Sequence, residues 1–452
     1  MENIKPTLRD NAILRWLVLL LGGIVIFVNY YMYSVLSPLK VILENQLGFT
    51  NTDFGLYLSV YSIPNTFFAM AVIGGIILDK IGIRKTGFMF VFFMAVGGFL
   101  TAYGASDYYS SGGLGYGLMS SFLKGYSPEL KMMLLGRLLY GLGAETSIVV
   151  ISKVLVKWFK GRNLALAFGL KIGFGRLGQM AALNVSPALA IGVTSLGLAA
   201  WFAAVLLGIG LIVFVVYMIF DLKLDKQINE DKLLTKPDKF KFSDVGTLLT
   251  NRTYIYVAIL CLTFYSAVFP FQDFATDFLY SKFNFPITKG GFIVSLVPLS
   301  TAIVTPLFGI FIDKKGKSAT VMLYGSIILF LVHFIFAFTN FTPYIPMIML
   351  GIAFSLVPAS MWPTVVKMVD ESKIGTAYGL MYSIQNLGLW GFPILAGIIL
   401  DKTNPGNPEI KNYFGAIIMF AILGFIGLVF AYLLKREDKK NNIGIELPLN
   451  KK

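Results

Sequence analysis

The stretch GIILDKIGIRK at residues 75–85 recurs, with changes, as GIFIDKKGK at residues 309–317. Both copies carry Gly, Asp, Lys and Gly at the same spacing, and each copy follows an apolar run. A second pair also repeats, AFGLKIGFGRLG at residues 167–178 and AYGLMYSIQNLG at residues 377–388. Self-similarity of this kind indicates repeated structural units. We therefore expect two related halves.

The composition is typical of a membrane protein. Of the 452 residues, 56% are hydrophobic and 14% are charged, whereas a soluble protein has about 45–50% and about 25%. A spanning helix takes roughly 20 residues, which leaves room for about twelve spans and no folded soluble domain. The single Cys261 and the single His333 exclude a disulfide framework and a Cys/His metal site. We predict an all-α polytopic membrane protein that is not an enzyme and binds no cofactor.

The apolar stretches predict twelve spans in two sets of six. The polar, Lys-rich connection at residues 221–252 separates the sets. We therefore predict an N-terminal six-helix bundle at residues 1–220, a cytoplasmic linker at 221–252, and a C-terminal six-helix bundle with its tail at 253–452. The twelve spans are predicted at residues 13–36, 54–78, 86–105, 131–157, 163–190, 196–220, 253–281, 288–312, 318–339, 343–368, 374–400 and 411–435.

The net charge of +14 is explained by the predicted topology. With the N-terminus in the cytoplasm, most Lys and Arg residues fall in cytoplasmic segments, as the positive-inside rule requires, and the C-terminus is cytoplasmic too. We therefore attribute the positive charge to orientation in a lipid bilayer and exclude nucleic acid as a partner. The opposite side carries few basic residues, namely Lys40, Lys124, Lys131, Lys282, Lys289, Lys402 and Lys411.

The repeated G-x3-D-x2-G-[RK] loop resembles the signature of the major facilitator superfamily. The stretch Arg137-Leu-Leu-Tyr-Gly141-Leu-Gly143-Ala in the fourth span resembles the second motif of that superfamily. The resemblance covers the whole chain, and it implies the major facilitator fold, in which two pseudo-symmetric six-helix bundles hold substrate between them. We expect gating or structural roles for the charged motif residues Asp79, Arg84, Asp313 and Arg137.

Two opposite charges lie at mid-depth in neighbouring spans. Glu145 precedes Lys157, at the cytoplasmic end of the fourth span, by about 18 Å of helix, and Arg176 follows Asn163 in the fifth span by about 20 Å. A charge at this depth costs at least roughly 2.5–3.5 kcal/mol and is rarely without function. The two side chains could form a structural ion pair, or they could separate to hold the two ends of a zwitterion.

Embedded polar and aromatic residues extend this candidate site. In the eleventh span, Tyr378, Tyr382 and Gln385 fall on one helical stripe, and the second repeat aligns Asn386 with Arg176. A stripe of this kind also serves helix packing. Further candidates, for which packing or interfacial anchoring is the alternative, lie in the tenth, first and seventh spans: Trp362, Tyr30, Tyr33 and Gln272.

A narrower resemblance lies in Trp362-Pro363, which is followed by GTAYGLMYSIQNLG at residues 375–388. These residues, together with the spacing of Glu145 and Arg176, resemble the major facilitator superfamily domain-containing protein 1 family of lysosomal dipeptide transporters. The resemblance implies dipeptide uniport with broad side-chain tolerance. It also implies that Glu145 engages the amino terminus of the peptide and Arg176 its carboxylate. Members of that family pair with a glycosylated accessory subunit.

The residues themselves favour the same class of substrate. A zwitterion is costly to desolvate unless both ends meet opposite charge, and Glu145 and Arg176 supply one of each. The Lys-rich composition and the single outward sequon, Asn340-Phe-Thr342, favour a bacterial cytoplasmic membrane and no accessory subunit. We also expect a monomer. A lysosomal membrane is the alternative location.

Two other functions stay open at this point. The first is proton-coupled transport of amino acids or other small organic anions; the lack of a Glu-x-x-Glu-Arg signature in the first span favours uniport instead. The second is a transporter-like receptor that binds its ligand without moving it. Large soluble extensions for signalling would support a receptor, and the sequence has none.

Overall fold

The computed structural model describes residues 7–159, 162–192, 195–227, 242–370 and 373–448. Regular structure in these ranges is helical throughout, which confirms the predicted all-α class. Ten helices in the described ranges are long and apolar enough to cross a membrane. The chain is therefore built as a multi-pass membrane protein.

The N-terminal half contains long helices and several short ones, with 3-10 turns at Leu8–Asp10 and Ser37–Leu39. Its helices are α1 (Ala12–Ser34), α2 (Lys40–Leu47), α3 (Asn51–Val60), α4 (Ile63–Phe68), α5 (Met70–Gly104), α6 (Asp107–Ser110), α7 (Tyr116–Ser121), α8 (Pro128–Phe159), α9 (Leu164–Gly192) and α10 (Leu196–Asp225).

The C-terminal half is more regular. Its helices are α11 (Phe242–Thr250), α12 (Arg252–Phe283), α13 (Ile287–Lys315), α14 (Ser318–Phe338), α15 (Tyr344–Met368), α16 (Ile374–Thr403) and α17 (Phe414–Asn441). The ends of the predicted linker are helical, since α10 continues to Asp225 and α11 lies inside it. Residues 228–241 of that linker lie outside the described residues.

The predicted second span is divided among α3, α4 and the start of α5. Ala69 takes a left-handed φ of 46° between α4 and α5, and the side-chain oxygen of Asn65 accepts a hydrogen bond from the Ala71 N–H at 2.9 Å. Helix α5 then joins the second and third predicted spans, with a kink at Gly82. Alanine is a strong helix former, so Ala69 gives no breaker signal, whereas Pro64 lies in the first turn of α4 and is typical of a helix start.

The two ends of the bundle are named here by the helices that meet there. The terminal face is the end at which α1 begins and α17 ends, and the far face is the opposite end. Between the halves, α3 packs against α16 and α9 packs against α13. The space between the halves is where the substrate of a two-repeat transporter binds.

Gly141 sets a close approach that matters for the site. A Cβ at this position would lie 2.3 Å from the carbonyl oxygen of Tyr61, at the end of α3. Only glycine therefore lets α8 come so near to the end of α3. Glu145 lies one helical turn after Gly141 on α8, so the approach brings Tyr61 beside Glu145.

Residues 442–448 form a strap that lies on the turn between α13 and α14. The carboxylate of Glu446 accepts hydrogen bonds from the Thr320 N–H at 2.7 Å and its hydroxyl at 2.9 Å. The Glu446 carbonyl accepts from the Lys317 N–H at 2.9 Å. The strap therefore satisfies N–H groups at the start of α14 that would otherwise lack partners.

A lysine and a buried isoleucine hold the strap from the other side. The Lys367 ammonium, near the end of α15, donates to the carbonyls of Gly444, Ile445 and Leu447 at 3.2, 3.3 and 2.5 Å. The side chain of Ile445 is fully buried. The strap is therefore part of the packed C-terminal half.

We expect Gly316→Ala to lower the thermal stability of the protein. Gly316 has φ 71° and ψ −126°, and an added Cβ would lie 2.4 Å from the Glu446 carbonyl oxygen. Such backbone strain costs about 1–3 kcal/mol, and the strap would be displaced as well. The measurement is thermal denaturation of the purified variant, with Gly309→Ala as the matched control because a Cβ there meets nothing within 4 Å. An equal effect of the two substitutions would contradict the role of the strap.

Candidate functional site between the two halves

Glu145 lies half-buried on α8. Its carboxylate accepts a hydrogen bond from the Tyr61 hydroxyl at 2.7 Å. The ring of Tyr61 is in turn 5.0 Å from the ring of Tyr33, in an edge-to-face contact. The carboxylate is thus oriented by one hydroxyl and retains acceptor positions for a ligand.

Arg176 lies half-buried on α9. Its guanidinium carbon is 4.7 Å from the ring centroid of Phe354, on α15 of the other half. One guanidinium nitrogen donates to the Gln179 side-chain oxygen at 3.2 Å. A guanidinium has five N–H donors, so most of them are available to a ligand carboxylate.

The two mid-depth charges do not pair with each other. Among the residues that the structure describes, neither Glu145 nor Arg176 forms an ion pair. Tyr30 on α1 is close enough to both Glu145 and Arg176 to interact electrostatically with each of them. Of the two arrangements that the sequence leaves open, the structure shows the separated one.

Aromatic side chains of the C-terminal half face these charges. The Trp362 indole stacks with the rings of Tyr382 and Tyr378 at centroid distances of 4.7 and 5.9 Å. Its N–H donates to the Tyr265 hydroxyl at 3.0 Å, and the Tyr378 hydroxyl donates to the Trp362 carbonyl at 2.9 Å. Tyr382 is 38% exposed and lies within electrostatic range of Glu145. These rings form one wall of the site. Helix α15, which carries Trp362, continues through its two prolines without a break.

Three further predicted site residues form no hydrogen bond with Glu145 or Arg176 in the structure. The buried Asn386 donates to the carbonyl of Tyr382 on its own helix at 2.9 Å, so its amide is turned toward the backbone. The side-chain oxygen of Gln385 is buried without a hydrogen-bond partner. Gln272 is buried on α12, and the structure shows no hydrogen bond from it to Glu145 or Arg176.

Arg137 lies in a cage of tyrosine rings. Its guanidinium carbon is 5.1, 4.9, 5.3 and 5.4 Å from the centroids of Tyr33, Tyr57, Tyr61 and Tyr140. Its nitrogens donate to two carbonyl groups at the end of α1 at 3.4 and 3.1 Å. Arg137 therefore fixes α1, α3 and α8 together, and it has no carboxylate partner within the described part of the chain.

The repeated loop motif behaves differently in the two halves. Arg84 forms an ion pair with Asp221 at 2.8 Å and a second one with Asp225 on α10, while Asp79 pairs with Lys153 on α8. Asp313 is exposed and has no partner among the described residues. The strap occupies the neighbouring turn in the C-terminal half.

A buried charge cluster closes the far face. Lys40, after α1, contacts Glu44 at 2.5 Å and Asp277 of the other half at 2.6 Å. Lys411, before α17, contacts Glu44 at 2.8 Å and Asp277 at 3.5 Å. The Tyr413 hydroxyl donates to Asp277 at 2.5 Å. We call these five residues the far-face cluster.

The cluster is balanced in charge and almost dry. Lys40 and Asp277 are each 1% exposed. Burial opposes the charge on Lys411, yet the carboxylates of Asp277 and Glu44 hold the pKa of its ammonium above the ordinary value. In the sequence, Lys40 and Lys411 are explained by topology alone, and no pattern indicates that they are buried together.

A second set of hydrogen bonds between the two halves also holds the far face closed. The Asp401 carboxylate on α16 accepts from the N–H groups of Asn51 and Thr52 at 3.0 and 2.9 Å, where α3 begins. At mid-depth the Ser383 hydroxyl donates to the Asn65 carbonyl at 3.2 Å. The polar contacts between described residues of the two halves thus run from mid-depth to the far face, and the structure is closed on that face.

This arrangement suits a ligand with both an ammonium and a carboxylate. A cation and an anion are presented from two helices of one half, and the other half contributes aromatic rings. Within the described ranges, no group of three His, Cys, Asp or Glu residues could hold a metal ion.

Comparison with known proteins gives one family. Residues 22–391 match the Major Facilitator Superfamily model. The chain is 30% identical over 437 residues to the lysosomal dipeptide transporter MFSD1 of Mus musculus, an alignment that covers 94% of this chain and 88% of the relative. The same transporter of Danio rerio is 31% identical over 435 residues, with 94% and 88% covered.

Solved structures show the same fold at low sequence identity. A bacterial homologue of the human lysosomal transporter Spinster, in an inward-facing and unoccupied conformation, superimposes with a TM-score of 0.71 at 14% identity, covering 94% of this chain and 98% of the homologue. The nucleoside transporter NupG gives a TM-score of 0.64 at 16% identity, with 93% and 99% covered. These likenesses concern the fold alone.

Proposed function

Because the chain belongs to the Major Facilitator Superfamily of membrane transporters, we propose that it carries dipeptides by alternating access, as a uniporter. The observation that carries this proposal is the separation of Glu145 from Arg176 in a half-buried site. Two half-buried opposite charges without ion-pair partners among the described residues are costly, and a bound zwitterion supplies a partner for each. The name of the relatives, lysosomal dipeptide transporter, supports the same substrate class.

We assign the amino terminus of the peptide to Glu145 and its carboxylate to Arg176. Tyr61 orients the Glu145 carboxylate, and a ligand carboxylate that binds Arg176 would compete with the contact between its guanidinium and the Phe354 ring. Hydrogen bonds to charged groups contribute about 1.5–3 kcal/mol each, so both ends contribute to affinity. The aromatic wall of Trp362, Tyr378 and Tyr382 contains no charged side chain that would select one kind of peptide side chain. This is consistent with broad tolerance of peptide side chains.

The conformational cycle follows from the far-face contacts. With both termini in the cytoplasm, as the charge distribution favours, the structure is inward-facing. The far-face cluster and the Asp401 hydrogen bonds must then break for the site to open outward. A substrate bound between the halves lets the same rocking motion occur in either direction, as uniport requires.

The proposal is tested by thermal stabilisation of the purified protein with alanyl-alanine in free, N-acetylated and C-amidated forms. Ligand binding raises the melting temperature by mass action. We expect a clear shift with the free dipeptide and a loss of that shift with either cap. Stabilisation by single amino acids or simple carboxylates without any response to the free dipeptide would refute the substrate assignment. Uniport is checked in liposomes: uptake should be driven by the peptide gradient alone, and an imposed pH gradient should not drive accumulation above equilibrium.

A further inference from the structure

Two carboxylates on α12 lie one helical turn apart in very different surroundings. Asp277 faces two ammonium groups and the Tyr413 hydroxyl in the far-face cluster. Asp273 has one hydrogen-bond donor, the hydroxyl of Ser37 from the other half, at 2.6 Å. No ion pair joins Asp273 to any residue in the described ranges, and the side chain is only 5% exposed.

The charged and titratable groups around Asp273 do not neutralise it directly. Arg137 on α8 acts on it at a distance, but that guanidinium is engaged by carbonyl groups and tyrosine rings. The hydroxyls of Tyr33 and Tyr57 lie within electrostatic range. On another side of α12, the buried His333 contacts the ring of Phe271, with ring centroids 4.9 Å apart, and its Nδ1 bonds to a carbonyl of its own helix.

We propose that Asp273 binds a proton when the far face closes and releases that proton when the far face opens. A buried carboxylate without a cation partner is costly, and taking up a proton from far-side water removes that cost when the face closes. The proton forms an O–H bond on one carboxyl oxygen, and the other oxygen still accepts from Ser37. When the face opens, the Ser37 contact breaks, water reaches Asp273, and the proton returns to the same side.

The proposed site makes the gate sensitive to pH without coupling transport to a proton gradient. Each cycle takes the proton from and returns it to far-side water, so no net proton crosses the membrane. Acidification of the far side should therefore favour the closed far face. The inference rests on the alternating access of the proposed function and does not depend on the identity of the substrate.

The test measures the distance across the far face without substrate. Spin labels are placed at two exposed far-face positions, Asn45→Cys and Pro408→Cys, in a full-length Cys261→Ala protein. Pulsed electron resonance then gives the open and closed populations between pH 5 and pH 8. One linked proton changes the closed-to-open ratio by at most about tenfold per pH unit. We expect the ratio to rise as pH falls, and Asp273→Asn to be predominantly closed at every pH.

Control variants separate this site from its neighbours. Asp277→Asn should open the far face but keep the pH slope, and His333→Gln should keep the slope as well. Ser37→Ala removes a donor from the ionised carboxylate of the closed state, so the closed-to-open ratio should begin to rise at a higher pH during acidification. A slope that survives in Asp273→Asn, or one that disappears in His333→Gln, overturns the proposal. If Asp273→Asn fails to fold, an unchanged onset pH of the rise in Ser37→Ala overturns it. Failure of dipeptides to bind leaves this measurement intact.

Discussion

Glu145→Gln is expected to abolish the preference of the protein for free over N-acetylated dipeptides. The substitution keeps an acceptor for the Tyr61 hydroxyl, which lies 2.7 Å from the carboxylate, and removes only the charge. Hydrogen bonds to charged groups contribute about 1.5–3 kcal/mol, so the affinity for free dipeptides should fall about 10- to 100-fold. Binding of N-acetylated dipeptides should change little. Isothermal titration of both ligands against both proteins gives the required comparison.

Arg176→Gln should show the reciprocal pattern, with loss of the preference for free over C-amidated dipeptides. Lys171→Gln is the matched control, because it removes a cation from the same helix. Lys171 donates to Ser152 at 2.7 Å and lies on a different side of α9, so dipeptide affinity should be preserved. If each variant lost free and capped ligands in equal proportion, the assignment of the two peptide termini would be wrong.

Lys40→Met is expected to shift the protein strongly toward the state that is open at the far face. The far-face cluster contains two ammonium groups and two carboxylates, and the variant leaves it with one uncompensated negative charge. Removing one partner of a buried pair costs about 3–5 kcal/mol, whereas the same residues are hydrated once the face opens. The ratio of closed to open molecules should therefore fall at least about 100-fold. Labels across the far face report this ratio directly.

A balanced double variant provides the control for this shift. Lys40→Met combined with Asp277→Asn leaves Lys411 with Glu44, 2.8 Å apart, and restores neutrality. The double variant should close far better than Lys40→Met, and a double-mutant cycle gives the coupling energy. Additive effects of the two substitutions would mean that the Lys40–Asp277 contact does not hold the face closed.

The fold was largely predictable, because apolar runs and the two repeats specify long helices in two related halves. The division of residues 54–78 into three helices was not, since the break at Ala69 depends on its left-handed backbone and on the Asn65 side chain. The sequence signal in this stretch is Pro64, in the first turn of α4, and it does not mark the break at Ala69.

The residues of the site that carry charge at mid-depth were predictable, because charges are rare there, whereas charged residues near the ends of the spans were not. Glu145 and Arg176 stood out because ionisable residues at mid-depth are costly, and their roles remain predictions. Tyr61 and Phe354 were missed because an aromatic residue in an apolar span has the pattern of ordinary packing. Lys40 and Asp277 were missed because charges near span ends are expected; only the structure shows them buried against each other.

The strap also constrains the order in which the protein can be assembled. Glu446 and Thr320 are 126 residues apart in the chain, so the turn that begins α14 stays uncovered while four long helices are synthesised and inserted. Chains fold progressively from the N-terminal side during synthesis. The C-terminal half therefore acquires its final packing last, and a chain can have all four of these helices inserted while the strap has not yet covered the turn.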